Sequence, residues 1–465
     1  MTIEGARTRS GPLRASAGPR VARTGRKVAL VTVLSIGLLA LGGLGLFKAV
    51  RTEPTPPTAL LRAAAPALAR PVVDGGSLAE LIADLQARLQ AVPEDWESYA
   101  SLGLAYVQQA RITADPSYYP RAEAALDRSL SLHASNNVSA MIGMGTLALA
   151  RHEFDEALAW GERARDTNAT VPAVHGVVGD ALIELGRYPE AFAALQQMVD
   201  LRPDLSSYAR ASYARELQGD VEGALAIMRQ AFDSAGSRAD TAWTLHQLGE
   251  LYFNSGSLDL AEQHYRRAIS ADETFVPAKA GVAKVAAARG RMDAAIDSYA
   301  EIVQTYPLPE YVIALADLYT ATGRTSEAEL QFALLEAEET LLRANGVNVD
   351  LEFALFSADH RIDLEAGLAA AEGEWARRKS VHVADALAWQ LYAHERFPEA
   401  LRMSEEALRL GTESALFLFH RGMIEHALGN DDDARRDLAR AIEINPHFSV
   451  LWAKDAADTL SGLRS

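Results

Sequence analysis

The sequence predicts an all-α protein, a solenoid of about ten antiparallel helix pairs preceded by one apolar helix near the N-terminus. Three observations carry this. The stretch QLGELYFNSGSLDLAEQHYRRAI (247–269) sets Gly249 three residues before Tyr252 and Ala261 four before Tyr265, with Gly256 between the two sets. Small residues that let backbones approach, aromatics that fill the gaps and a glycine at the turn are the punctuation of two short helices folded back on each other. The opening alanine of the second helix recurs as Ala122, Ala157, Ala191, Ala224, Ala261, Ala295, Ala328, Ala366, Ala400 and Ala434, at a period near 34. The third observation is the apolar run VALVTVLSIGLLALGGLGLF from Val28 to Phe47.

The apolar run has twenty uncharged residues, twelve of them Leu, Val, Ile or Phe. As a helix it reaches about 30 Å, the thickness of a bilayer's hydrocarbon core. Arg7, Arg9, Arg14, Arg20, Arg23, Arg26 and Lys27 precede it. A cleaved signal has a shorter apolar region followed by small residues, whereas this run ends in KAVR. The expected layout is a basic cytoplasmic tail (1–27), a transmembrane helix (28–47), a Pro/Ala-rich linker (48–76) and the helical array (77–465). By the positive-inside rule the plasma membrane is crossed once, with the N-terminus cytoplasmic and the repeats extracytoplasmic. Ser77 with Glu80 three residues later forms a capping box before Leu78, Leu81, Ile82, Leu85 and Leu89, a half repeat that starts the stack. Residues 448–463 read as a terminal capping helix.

A period of 34 with a small residue, an aromatic three later and Ala-x3-aromatic in the second helix is similar to the tetratricopeptide repeat. The motif is clear at Leu102, Gly103 and Tyr106, at Leu248, Gly249 and Tyr252, and at Leu315, Ala316 and Tyr319; Pro203, Pro307 and Pro446 stand where that family closes a repeat. The whole layout also resembles bacterial membrane-anchored proteins of the cell envelope that carry such repeats. The resemblance implies a right-handed superhelix whose first helices line a concave groove for a protein or peptide. Two copies depart from the pattern. RITADPSYYPR (111–121) is about seven residues too long, and the copy around Ala366 lacks its aromatics.

Charge narrows the function. Residues 1–51 carry a net +8, which leaves −25 for the remainder. An array this acidic repels phosphates, so nucleic acid is excluded, and a basic, partly apolar protein or peptide is the better match. There is no cysteine, which removes disulfides, thiolate metal sites and cysteine nucleophiles. No GxxxxGK[ST], GxSxG or HExxH occurs. Asp431, Asp432 and Asp433 open a helix, where acids favour the N-terminus. Six of eleven histidines follow residue 355 (His360, His382, His394, His420, His426, His447) without metal-ligand spacing.

The expectation is therefore a membrane-anchored extracytoplasmic scaffold for protein–protein interaction, with no catalysis, metal, cofactor or small-molecule substrate of its own. Two alternatives are a metal-dependent enzyme with a site in the histidine-richer C-terminal third and a cytoplasmic-facing assembly chaperone. Mapping the repeat onto each first helix puts Trp243, His246, Glu250, Phe253 and Asn254, then Asp317 and Thr320, then Asp385 and Trp389 on the concave face. Aromatics beside acids there suit a segment carrying apolar and basic residues.

Overall fold

The computed structural model describes residues 78–464 apart from Ala114. The tail, the apolar run and the linker lie outside the described residues. Among the described residues no helix is long and apolar enough to cross a membrane, and all regular structure is helical. Helix α1 (Leu78–Ala91) precedes ten pairs: α2 and α3 (Trp96–Thr113, Tyr118–Leu132), α4 and α5 (Val138–Arg151, Phe154–Thr167), α6 and α7 (Pro172–Glu184, Tyr188–Leu201), α8 and α9 (Leu205–Leu217, Val221–Asp233), and α10 and α11 (Arg238–Asn254, Leu258–Ala271) form the first five. The second five are α12 and α13 (Val276–Ala288, Met292–Thr305), α14 and α15 (Pro309–Ala321, Thr325–Ala344), α16 and α17 (Asp350–His360, Leu364–Arg377), α18 and α19 (Val381–Ala393, Phe397–Ala407), and α20 and α21 (Ala415–Ala427, Asp431–Ile444), after which α22 (Ala453–Gly462) ends the stack.

The recurring alanines mark the contact between the helices of a pair. Ala157, Ala191, Ala261, Ala295, Ala400 and Ala434 are each fully buried. Opposite them a Cβ on Gly249 would run into the Tyr265 ring, so only glycine lets α10 approach α11. The copy around Ala366 is displaced by one residue from the expected position. Ala366 is exposed, and the residue at the contact is Gly367, where a Cβ would collide with Ser357 and Gln390. A polar contact between α16 and α17 replaces the missing aromatics.

First helices of successive pairs pack on one another, α2 on α4, α4 on α6, α10 on α12, α16 on α18 and α18 on α20. They therefore form the inner wall, and the second helices lie outside it. The ends close with amphipathic helices. Leu85 and Leu89 of α1, and Ala456 and Leu460 of α22, are buried, while Lys454, Asp455 and Asp458 stay in water.

The stack coils back onto itself. In each of the first five pairs, a carbonyl at the C-terminal end of the first helix accepts a hydrogen bond from the segment that follows a pair five positions later. The Tyr306 hydroxyl donates to the carbonyl of Ile112. The Asn348 amide donates to Arg151 at 3.1 Å, and the Lys379 amide to Leu185 at 3.2 Å. The Thr412 hydroxyl reaches Leu217 at 2.6 Å, and Asn445 Nδ2 reaches Phe253 at 3.0 Å. The last carbonyls of a helix have no partner within it and carry its negative dipole, so donors from the next superhelical turn complete them. Apolar burial reinforces this seam, with Val381, Ala384 and Phe417 sharing one cluster with Val178, Leu182 and Leu217. Arg378, buried across the seam, pairs with Glu184 at 2.5 Å and with Glu374.

Turn glycines separate the seam from the rest of the stack. Gly186 (φ +76°) and Gly290 (φ +74°) have the same left-handed backbone, yet a Cβ on Gly186 would strike the Lys379 carbonyl while one on Gly290 meets open space. Gly290→Ala should cost only the left-handed penalty of about 1 to 2 kcal/mol. Gly186→Ala should cost about 1 to 3 kcal/mol more, because the seam must move. Denaturation midpoints of the two variants measure the difference, and equal losses would show that the seam contributes nothing.

Ala261→Trp overpacks the α10–α11 contact and should lower stability by about 1 to 3 kcal/mol in the same assay. An unchanged transition would contradict the contact.

Glu338 on α15 is fully buried with neither carboxylate oxygen partnered, and burial pushes its pKa up to about 9. The folded state holds a proton that the unfolded chain releases near its ordinary value. The stability linked to it is thus complete below about pH 4.5 and is lost as pH rises through about 9. Glu338→Gln should flatten the fall of melting temperature with pH over that window. An identical pH profile in the variant would rule out this assignment.

Candidate functional site

The nine wall residues expected from the repeat separate into two groups. Trp243 packs with Leu205, Ala209 and Met228. His246 lies between the rings of Tyr265 and Phe275, at 5.6 and 5.7 Å. Phe253 is buried under Lys284, whose Nζ stands 4.3 Å from the ring centroid. Trp389 is stacked between Tyr392 at 4.7 Å and His420 at 4.2 Å, so both its faces are covered. Its indole N–H donates to Asp359 at 2.9 Å, which also accepts from Trp452 at 2.8 Å. Asp385 is buried against His420 Nδ1 at 2.9 Å. These five side chains are held by their own fold, because the inner wall is where neighbouring first helices touch.

The other four are more accessible. Asn254 and Thr320 are exposed, and the side chains of Glu250 and Asp317 are 25% and 24% exposed. Glu250 accepts from the Tyr265 hydroxyl and from Lys284 Nζ, both at 2.6 Å. Burial opposes its ionisation, but the lysine charge and these hydrogen bonds hold it down to about 2. Asp317 meets His360 Nε2 at 2.9 Å, and burial raises its pKa despite that bond. Asn254 Nδ2 donates to Glu216 at 3.4 Å, and burial lifts Glu216 to about 7.

These contacts belong to a ladder. Asp180 with Arg210, Glu250 with Lys284, Asp317 with His360 and Asp385 with His420 each join one first helix to the next along the wall. The Asp180–Arg210 pair is buried on both sides and bidentate. Sequence reasoning missed the ladder. Its signal was present, since Glu250 and Lys284 stand one repeat apart at spacing 34.

Two clefts among the described residues lie on the seam. One of about 410 Å³ is lined by Arg151, His152, Phe154, Gly346, Asn348 and Arg378; the other, of about 340 Å³, lies among Gly256, Asp259, Arg289 and His447. Among the described residues no set of three or more His, Asp or Glu converges as metal ligands would. His360 and His420 are each engaged by one aspartate of a different first helix, and so do not share a site.

A family model described as tetratricopeptide repeat matches residues 203–274, and a second with the same description matches residues 117–172, 246–308 and 386–447. No curated protein matches the chain. Among solved structures, the human IFIT1 dimer with PPP-AAAA is similar at 13% identity, over 89% of this chain and 95% of that one, with a TM-score of 0.46. The Cut9 and Hcn1 hetero-tetramer of the APC/C is similar at 16% identity, over 88% and 85% of the two chains, with a TM-score of 0.41. A tetratricopeptide repeat protein from Parabacteroides merdae is similar at 16% identity, over 56% and 99%, with a TM-score of 0.33. The chain carries tetratricopeptide repeats at residues 117–172, 203–308 and 386–447, and the helix pairs between and beside them continue the same stack, an architecture that serves protein–protein interaction.

Proposed function

We propose that this protein is a membrane-anchored scaffold whose repeat array works outside the cytoplasm and holds a basic, partly apolar protein segment on its inner wall. The observation that carries the binding reading is the wall itself. It is continuous from α10 to α14, and along it Asn254 and Thr320 are exposed beside the carboxylates of Glu250 and Asp317. The contact residues we propose are these four. Trp243, His246, Phe253, Asp385 and Trp389 then set the position of the wall rather than touch the partner. The net −25 of residues 52–465 supports a basic partner, through attraction at long range and charge pairing at contact. The anchor reading rests on residues 28–47 and the arginines before them.

Two measurements test the two halves of this proposal. Alkaline phosphatase folds only where disulfides form, so fused to the C-terminus of the full chain it should be active; a silent fusion in cells that make the protein would sink the topology. For the wall, Asn254→Arg with Thr320→Arg should weaken the partner recovered by crosslinking in intact cells by about tenfold at 0.1 M salt. The loss should shrink at 1 M salt, where the Debye length falls to about 3 Å. If affinity is unchanged while arginines placed on the outer, second helices abolish it, the partner uses the outer face.

A further inference from the structure

The longest interval between repeat signatures lies after Ala328, where α15 runs for 20 residues and is followed by an irregular segment before α16. That extra length crosses the seam and covers the inner wall of the first two pairs. Leu342, Val347 and Val349, all buried, share one apolar cluster with Tyr106 and Val107 of α2 and with Met144 and Leu147 of α4. Between the valines the backbone of Asn348 is held on both sides. Its N–H donates to the Arg151 carbonyl at 3.1 Å, and its carbonyl oxygen lies 2.6 Å from His152 Nδ1. Buried side chains on either side of a bonded backbone are how a groove holds a short stretch of peptide. The chain is thus its own ligand here.

One feature opposes the seating of this segment: Glu338, one helical turn before Leu342, is buried with neither oxygen partnered, whereas Gly346 takes its left-handed backbone at φ +81° without strain. The cleft of about 410 Å³ opens along the edge of the segment at Gly346 and Asn348. We propose that residues 339–349 are a displaceable strap, and that the wall of the first two pairs binds a partner segment of the same chemistry. That segment ends a helix with a leucine-sized residue and, after a glycine turn, presents an apolar, polar, apolar triplet in the place of Val347, Asn348 and Val349. This site is separate from Asn254 and Thr320, which lie on later pairs, so either reading can fail alone.

The probe is a fluorescent synthetic peptide of the strap itself, ETLLRANGVNVD (339–350), titrated against the full-length chain. Val347→Asp with Val349→Asp should empty the wall and bind the peptide at least about tenfold more tightly than the parent, whose tethered strap competes at high effective concentration. The milder pair Val347→Ala with Val349→Ala should fall between them. A peptide carrying aspartate at both valine positions should bind none of the three. A variant that keeps the parent's helical signal and melting transition but takes up no peptide overturns the proposal. Loss of the helical signal in both variants overturns it too, since the segment is then an indispensable part of the core.

Discussion

The structure depends on hydrogen bonds accepted by the last carbonyls of five first helices. In an isolated repeat these groups face water. Here Ile112, Arg151, Leu185, Leu217 and Phe253 each meet a donor 192 to 197 residues further along the chain. Five such contacts at one offset require the superhelix to advance five pairs and bring the next turn down onto the first. Buried Arg378 fixes the register, because a guanidinium away from water must keep both Glu184 and Glu374.

A repeat array is ordinarily quasi-one-dimensional, each unit leaning only on its neighbours. The seam adds long-range terms, which tie the fate of α6 to that of α17 and α18. It also governs access. Where turns meet, as at Val381 and Phe417 against Leu182 and Leu217, the inner wall is core. Where they do not, as at Thr320, it is surface. The ladder of paired side chains serves both conditions, since it gives each partly or wholly buried carboxylate of the wall a hydrogen-bonding partner.

Two irregularities of the repeat share a location. The overlong segment 111–121 contains the carbonyl that receives Tyr306, and the long interval after Ala328 delivers Val347 and Asn348 to the first turn. Both insertions sit on the seam, which Lys379, Thr412 and Asn445 reach from repeats of ordinary spacing.

By itself the sequence determined the helix pairs, their number, the alanines and glycines at their contacts and the acidity of the array. Each of these rests on spacing within one or two repeats, where a 3.6-residue period and a small residue leave a local trace. It misplaced the contact at Ala366 by one residue because a glycine stood beside an alanine and the aromatics that mark register were absent. Only the tertiary structure decided that Trp243, His246, Phe253, Asp385 and Trp389 are packing residues, that Glu338 is buried without a partner, and that residues 339–349 lie across the first two pairs. Whether a wall residue meets water or the next turn depends on a small rotation per pair summed over five pairs, and no single repeat records that sum.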